Sequence, residues 1–333
     1  MIDVASEVLA AEERIRPHVR ETPVEFSPSL SAPGGARVWL KLENLQATGS
    51  FKLRGATSKL LSLPAAARRR GVVAASSGNH GLGVAHALRA AGGRGVIFVP
   101  EGASPTKVEA IRAYGRSGAP VEVFAVAGDP VLAERAARRH AEEHGRVYVS
   151  PYNDPAVLGG QGTIGVELAR QLPRIDALFV ALGGGGLISG VAGYLKSLGG
   201  ALEVVACSPA SSPVMHESVR AGRILDLDSA PTLSDGTAGG VEEGAITFEL
   251  CRRLVDRYVL VSEEEIAAAM RWVIGRHHTL IEGAAGVAVA GYLKRPERYR
   301  GRDVAIILCG ANVDLANLRR VLGGGEGSGS PGG

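Results

Sequence analysis

"VWLKLENLQATGSFKLRGA", residues Val38 to Ala56, changes character twice. VWLKL is an apolar run of strand length, ENLQATGS is a polar loop with a glycine, and FKLRGA opens a helical pattern. Strand, loop and helix in that order are the first half of a parallel strand–helix–strand unit. The loop also raises a chemical question. Ser50 or Thr48 is placed to cap a helix beginning near Phe51, which would set Lys52 in its first turn. There the positive end of the helix dipole disfavours an ammonium and favours the neutral amine, the form that condenses with a carbonyl. An ordinary surface lysine remains the simpler reading of this loop taken alone.

The same alternation runs outward in both directions. VVAA (Val72–Ala75), VIFV (Val96–Val99), VEVFA (Val121–Ala125), LFVAL (Leu178–Leu182), EVVAC (Glu203–Cys207) and VAIIL (Val304–Leu308) read as buried strands. Between them lie helical stretches at His80–Ala91, Asp129–His144, Gly162–Leu172, Glu263–Arg276 and Ala284–Leu293. Strand–helix alternation implies parallel sheets covered on both faces, the α/β class. A chain of 333 residues with this many strands divides into two such units. The expected large unit covers 1–67 and 149–322, with a smaller unit inserted at 68–148. Gly145 closes the helix before that boundary, and RVYVS (Arg146–Ser150) leads back to the large unit. The tail 323–333, GGGEGSGSPGG, has no large apolar residue to bury and is expected to be disordered.

Composition narrows the function. The net charge is only +3, and the one basic run, Arg68-Arg69-Arg70, lacks interleaved aromatics, so a solvated helix end is expected and no nucleic-acid site. No apolar run reaches membrane-spanning length, and MIDVASEVLAAEERI reads as an amphipathic helix rather than a signal peptide. Cys207, Cys251 and Cys309 are an odd, dispersed set, which argues for a reducing, cytoplasmic setting and against a disulfide framework.

Two more loops follow buried strands. Gly183-Gly184-Gly185-Gly186-Leu187 joins LFVAL to the helical ISGVAGYLKSL. Four glycines let the backbone approach an anion, with amides and a helix N-terminus directed at it. A dinucleotide fits poorly: G-x-G-x-x-G fails at its last position, on Ile188 or Ser189, and EVVAC ends without an acid to hold a ribose. No G-x-x-x-x-G-K-[ST] is present, so a single phosphate is the expected occupant. Ser76-Ser77-Gly78-Asn79-His80-Gly81 offers hydroxyls, an amide and backbone N–H groups suited to a carboxylate or a cofactor oxygen, and equally serves as turn and cap chemistry. Cys309, after VAIIL, reads first as a small buried apolar residue.

A lysine amine, a monophosphate cradle and a polar loop together match pyridoxal phosphate. From about Thr22 to Leu322 the chain resembles the serine/threonine dehydratase and serine racemase family, whose fold is that of the tryptophan synthase β-subunit. KLENLQATGSFKLRGA, SSGNHG, GGQGTIGVEL, GGGGLISG, TLSDGTAGG, IEGAAGVA and LCGANVD stand in that family's order and spacing. The resemblance implies a two-domain α/β fold and an enzyme that turns L-threonine or L-serine into a 2-oxo acid and ammonia. It implies Lys52 as the Schiff-base lysine, Phe51 beside the cofactor ring, and Gly183, Gly184, Gly185, Gly186 and Leu187 around the phosphate. Asn79 would bond the ring hydroxyl, and Cys309 would face the ring nitrogen, where many relatives carry serine. Ser76, Ser77, Asn79 and His80 would receive the substrate, and no metal ligands are implied. Asp235 and Glu282 match acidic positions near the site without an assigned role. Within the family a homodimer or homotetramer is expected.

Three departures from the pattern matter. Threonine dehydratases usually read Ser-Ala-Gly-Asn-His, whereas Ser77 stands at the alanine; serine racemases carry an acid/base serine there, so racemisation is the alternative. The stretch Ser208–Pro213 has no carboxylate where relatives hold a cation, so little cation dependence is expected. The family's regulatory domain is absent from this sequence, so isoleucine feedback is not expected. Other 3-hydroxy amino acids, among them hydroxyaspartate, phenylserine and hydroxyectoine-derived ones, are alternative substrates. A β-replacement synthase fits less well, because those resemble Ser-x-Lys-Asp-Arg where this chain has Ser50-Phe51-Lys52-Leu53-Arg54. A non-catalytic binding paralogue would have no use for the lysine amine.

Overall fold

The computed structural model describes residues 2–116, 120–128 and 130–323. Its strands are β1 (Val24–Phe26), β2 (Arg37–Lys41), β3 (Val72–Ala75), β4 (Gly95–Pro100) and β5 (Val121–Val126), then β6 (Val147–Tyr148), β7 (Ala177–Ala181), β8 (Glu203–Pro209), β9 (Arg257–Val261) and β10 (Asp303–Ile307). They form two sheets. The larger has the order β1-β2-β10-β7-β8-β9, and the smaller β5-β4-β3-β6. Every pairing is parallel except β1 with β2, as the α/β reading requires. The last strand is a central one: Val304 lies opposite Val38 on one side and Ala177 on the other.

Strands buried on both faces read as unbroken apolar runs. β7 and β10 are buried at every position. VEVFA is the exception to the expected burial. β5 is an edge strand whose residues alternate between half-buried and exposed, with Phe124 46% exposed. Two short edge strands, β1 and β9, carry too few buried side chains to stand out in the sequence. The helix expected from Gly162 begins at Pro155, because Asp154 caps it by accepting from the Ala156 and Val157 N–H groups, with proline at the first position. The tail expected to be disordered lies outside the described residues, apart from Gly323 at the end of the Leu315–Gly323 helix.

Between the sheets runs the Lys52–Ser62 helix. Its Ala56 and Leu60 join the core beside the smaller sheet with Val72, Leu88 and Ile97. Its other side meets the Pro155–Gln171 helix so closely that a side chain at Gly160 would strike the Arg54 carbonyl at 2.6 Å. Neither Ser50 nor Thr48 caps it, contrary to expectation. Both hydroxyls are buried without a partner, and Phe51 is the N-cap residue.

An ionic cluster anchors this helix from behind. Arg54, Glu43, Glu167 and Lys41 have fully buried side chains. Arg54 donates to Glu43 at 2.8 Å and to Glu167 at 2.7 and 2.9 Å, and Lys41 donates to Glu167 at 2.6 Å. Thr163 and the Arg20 carbonyl take further Arg54 N–H groups, and Arg16 reaches Glu167 from outside. Burial would raise the Glu167 carboxyl, but the neighbouring Arg54 and Lys41 charges bring it down to about 2. The cluster ties β2, the Lys52–Ser62 helix and the Pro155–Gln171 helix into one frame.

Candidate active site

In open parallel sheets, ligands bind beyond the carboxyl ends of the strands, where the order reverses. Here five such ends converge. Residues 42–51 leave β2, 308–312 leave β10, 182–185 leave β7, 76–78 leave β3 and 149–154 leave β6. The first two loops are locked together: Ser50 bridges Gly310, Phe51 N–H donates to the Cys309 carbonyl at 3.1 Å, and Ala311 N–H to that of Gly49 at 2.8 Å. Gly49 has φ +73° and faces the Asn312 amide, which leaves no room for a side chain.

Lys52 opens its helix at the centre of this convergence. Its Nζ donates to the Pro151 carbonyl at 3.0 Å and lies 5.2 Å from the Phe51 ring centroid. Burial lowers its pKa to about 8, against weaker pulls from Cys309 and Glu282. A fraction of the amine is therefore neutral near pH 7. The sequence reading assigned this to the helix dipole, whereas loss of water is the main cause. Contacts run from here in a ring. Tyr152, next to Pro151, packs its ring where a side chain of Gly184 would stand, and its backbone and Cβ where one of Gly186 would. A side chain at Gly183 would meet the Thr237 backbone at 2.9 Å, and Gly236 lies beside Glu282. Glu282 accepts from Asn79, whose helix packs Gly83 against the Lys52 backbone.

The glycine run has the features an anion needs. Gly185 adopts φ +84° and precedes the Gly186–Ser197 helix. Among the described residues, no amide N–H from Gly183 to Leu187 has a protein acceptor. Consecutive unsatisfied donors at a helix N-terminus form an anion nest. The Leu187 side chain itself is buried in the core, so only its backbone faces the nest.

The SSGNHG loop is less uniform than expected. Ser76 Oγ accepts from Gly78 N–H at 3.1 Å, and Ser77 Oγ has no hydrogen bond among the described residues. Asn79 and His80 begin the Asn79–Ala91 helix, with backbone N–H groups that have no acceptor in the described chain. The His80 ring, however, is buried and committed to the Val149 carbonyl at 2.8 Å. Burial, with the Lys52 charge second, lowers its pKa to about 3, so the ring stays neutral. Cys309 is buried, and burial keeps its thiol protonated by pushing its pKa well up.

Some site residues carry no local signal. Tyr152 and Pro151 lie in the crossover Ser150-Pro151-Tyr152-Asn153, which follows a two-residue strand. Its place at a strand's carboxyl end is the clue that could have found it. Two ion pairs also join helices packed on the smaller sheet to the segment 235–242: Lys107–Asp235 at 2.8 Å and Arg138–Glu242 at 2.7 Å. Among the described residues, no three His, Cys, Asp or Glu side chains gather as they would around a metal ion. No described helix is long and apolar enough to cross a membrane.

Comparison with known proteins identifies the family. Residues 15–310 match the family model described as pyridoxal-phosphate dependent enzyme. The chain is similar to the L-threonine ammonia-lyase of Thermotoga maritima, at 40% identity over 95% of this chain and 77% of that protein. Among solved structures it is similar to threonine deaminase isoform 2 of Solanum lycopersicum, with TM-score 0.90 and 32% identity over 97% of this chain and 94% of that one. Maize serine racemase superposes with TM-score 0.88 and 31% identity over 96% and 97% of the two chains.

Proposed function

This chain belongs to the family of pyridoxal-phosphate-dependent enzymes, and from that premise we propose that it is an ammonia-lyase converting L-threonine or L-serine to a 2-oxo acid and ammonia. The observation that carries the reading is the Lys52 amine, its pKa lowered to about 8, set within the ring that contains the glycine nest. The residues present fit the cofactor. Unsatisfied amides from Gly183 to Leu187 suit its phosphate, and the orphaned Ser50 and Thr48 hydroxyls leave further polar capacity beside Lys52. Phe51 would lie along the ring, Asn79 would bond its hydroxyl, and Cys309 would face its nitrogen.

Bound there, pyridoxal phosphate supplies an aldehyde for amines and an electron sink that makes the α-hydrogen of an attached amino acid acidic. Lys52, as a free amine, takes that proton as general base. The open N–H groups at the start of the Asn79–Ala91 helix, with its dipole, hold the substrate carboxylate, and Ser76 and Ser77 flank it. His80 contributes through its backbone, since its ring is committed to Val149. A neutral thiol at Cys309 adds no negative charge beside the ring nitrogen, which suits loss of a β-hydroxyl better than a long-lived carbanion.

Ser77 supports a second reading. Its hydroxyl is uncommitted within the described chain, as an acid/base for racemisation would need to be. Holoenzyme given L-threonine, L-serine and their 3-hydroxy analogues is expected to release 2-oxo acid. Ser77→Ala is expected to suppress any D-amino acid while leaving 2-oxo acid formation. Failure to form either product from every 3-hydroxy amino acid would overturn the reading. We extend it to a cytoplasmic homodimer or homotetramer of two-domain subunits, with 68–148 as the smaller domain. The three buried, unpaired cysteines support the reducing compartment.

A further inference from the structure

Glu282 is the buried carboxylate that the chemistry above leaves unused. It stands before the Gly283–Leu293 helix, is 3% exposed, and bonds no cation directly among the described residues. Its oxygens accept from Asn79 Nδ2 at 2.8 and 2.9 Å and from the Asn312 backbone N–H at 3.1 Å. Asn312 Nδ2 donates to the Thr48 carbonyl at 2.9 Å and to Asn79 Oδ1 at 2.6 Å. These directions follow from the groups themselves. A backbone carbonyl only accepts, so Asn312 turns its amino group to Thr48, and Asn79 must meet that amino group with its oxygen. The Asn79 amino group then faces Glu282, which accepts at both oxygens only while ionised. A side chain at Gly310 would lie 2.5 Å from the carboxylate, so any other residue type there would displace it.

We propose that Glu282 is a positioning residue which, through Asn79, holds an N–H donor toward the ring hydroxyl of the bound cofactor, so that ionisation of that hydroxyl follows the proton on Glu282. The inference rests on the reading that pyridoxal phosphate binds at Lys52 and Asn79. The two hydrogens of the Asn79 amino group suffice for one bond to Glu282 and one to a ring oxygen. A donated hydrogen bond favours the deprotonated oxygen. Protonating Glu282 turns one of its oxygens into a donor and loosens the hold on Asn79. The charged and titratable groups facing Glu282 are Asp235, Lys107, Lys52 and Cys309. Burial pushes the carboxyl up to about 7, Asp235 adds to the rise, and the Asn79 and Asn312 bonds and Lys107 oppose it. The switch therefore falls near neutrality.

The test is the visible absorbance of the holoenzyme between about pH 5.5 and 9. The unmodified enzyme is expected to show one transition centred near neutrality. Glu282→Gln, whose carbonyl still accepts from Asn79, is expected to keep the cofactor and lose the transition. Glu282→Asp is expected to keep it with the midpoint displaced by about one unit, and decides the question should the glutamine variant fail to fold. A flat spectrum in the unmodified enzyme, an unchanged transition in Glu282→Gln, or an unmoved midpoint in Glu282→Asp would each overturn the proposal. The readout is the bound cofactor rather than turnover. Its failure would leave the ammonia-lyase reading standing, and absence of turnover with the transition intact would overturn only that reading.

Discussion

The two sides of the Lys52–Ser62 helix handle buried charge in opposite ways. Behind it, Arg54, Lys41, Glu43 and Glu167 satisfy one another, and Glu167 is held down to about 2. In front, Lys52 and Glu282 are buried without a direct counter-charge, so the amine falls to about 8 and the carboxyl rises to about 7. Paired charges hold one protonation state and fix geometry. Unpaired ones sit near neutrality and can exchange protons. Only Leu53 separates Lys52 from Arg54, so one helical turn joins the frame to the chemistry.

The largest effect expected lies in front. Lys52→Ala should abolish the cofactor's visible absorbance and lower turnover by about 10³-fold or more; an unchanged spectrum would break the assignment. Behind, Arg54→Met leaves Glu43 without its cation and Glu167 with only Lys41 and Arg16, and should cost about 3–5 kcal/mol in urea unfolding at neutral pH. A loss under about 1 kcal/mol would mean that the cluster is no frame.

pH sharpens the contrast through its sign. Glu167 has a folded pKa below the ordinary carboxylate value, so its stabilisation is present above that value and is lost as pH falls through about 2. Glu282 is raised, so its contribution is full below the ordinary value and is lost as pH rises through about 7. Apo Glu282→Gln should therefore gain on the unmodified protein by about 3 kcal/mol between pH 4.5 and 8, measured by denaturant unfolding at each pH. A difference that stays constant with pH would erase the distinction between the two carboxylates. The smallest effect belongs to the cleft's rim. Asp235 is half exposed, and Asp235→Asn should cost under about 1 kcal/mol despite breaking the bond to Lys107.

Much of this is legible in the sequence, and the gaps have physical causes. Central parallel strands announce themselves because both faces are buried, as in β7 and β10. Short edge strands such as β1 do not. Lys52 and the glycine run are read locally, because a turn into a helix N-terminus is a short-range structure. The Glu282–Asn79 bond spans 203 positions, and the Lys41–Glu167 bond 126. A lysine or glutamate looks solvated in sequence until the fold supplies its partner. The His80 ring shows the converse. Its neighbours in the motif face the cleft, while the helical turn carries its side chain to Val149.

The central place of β10 orders events during synthesis. Until Asp303 and the residues after it have left the ribosome, the larger sheet exists as two pieces, β1-β2 and β7-β8-β9, each with a raw inner edge. Cys309, Gly310 and Asn312 arrive with that same strand. Capture of vitamin B6 phosphate is thus deferred until β10 and the loop after it have emerged, and the nascent chain must carry two sticky apolar borders until then.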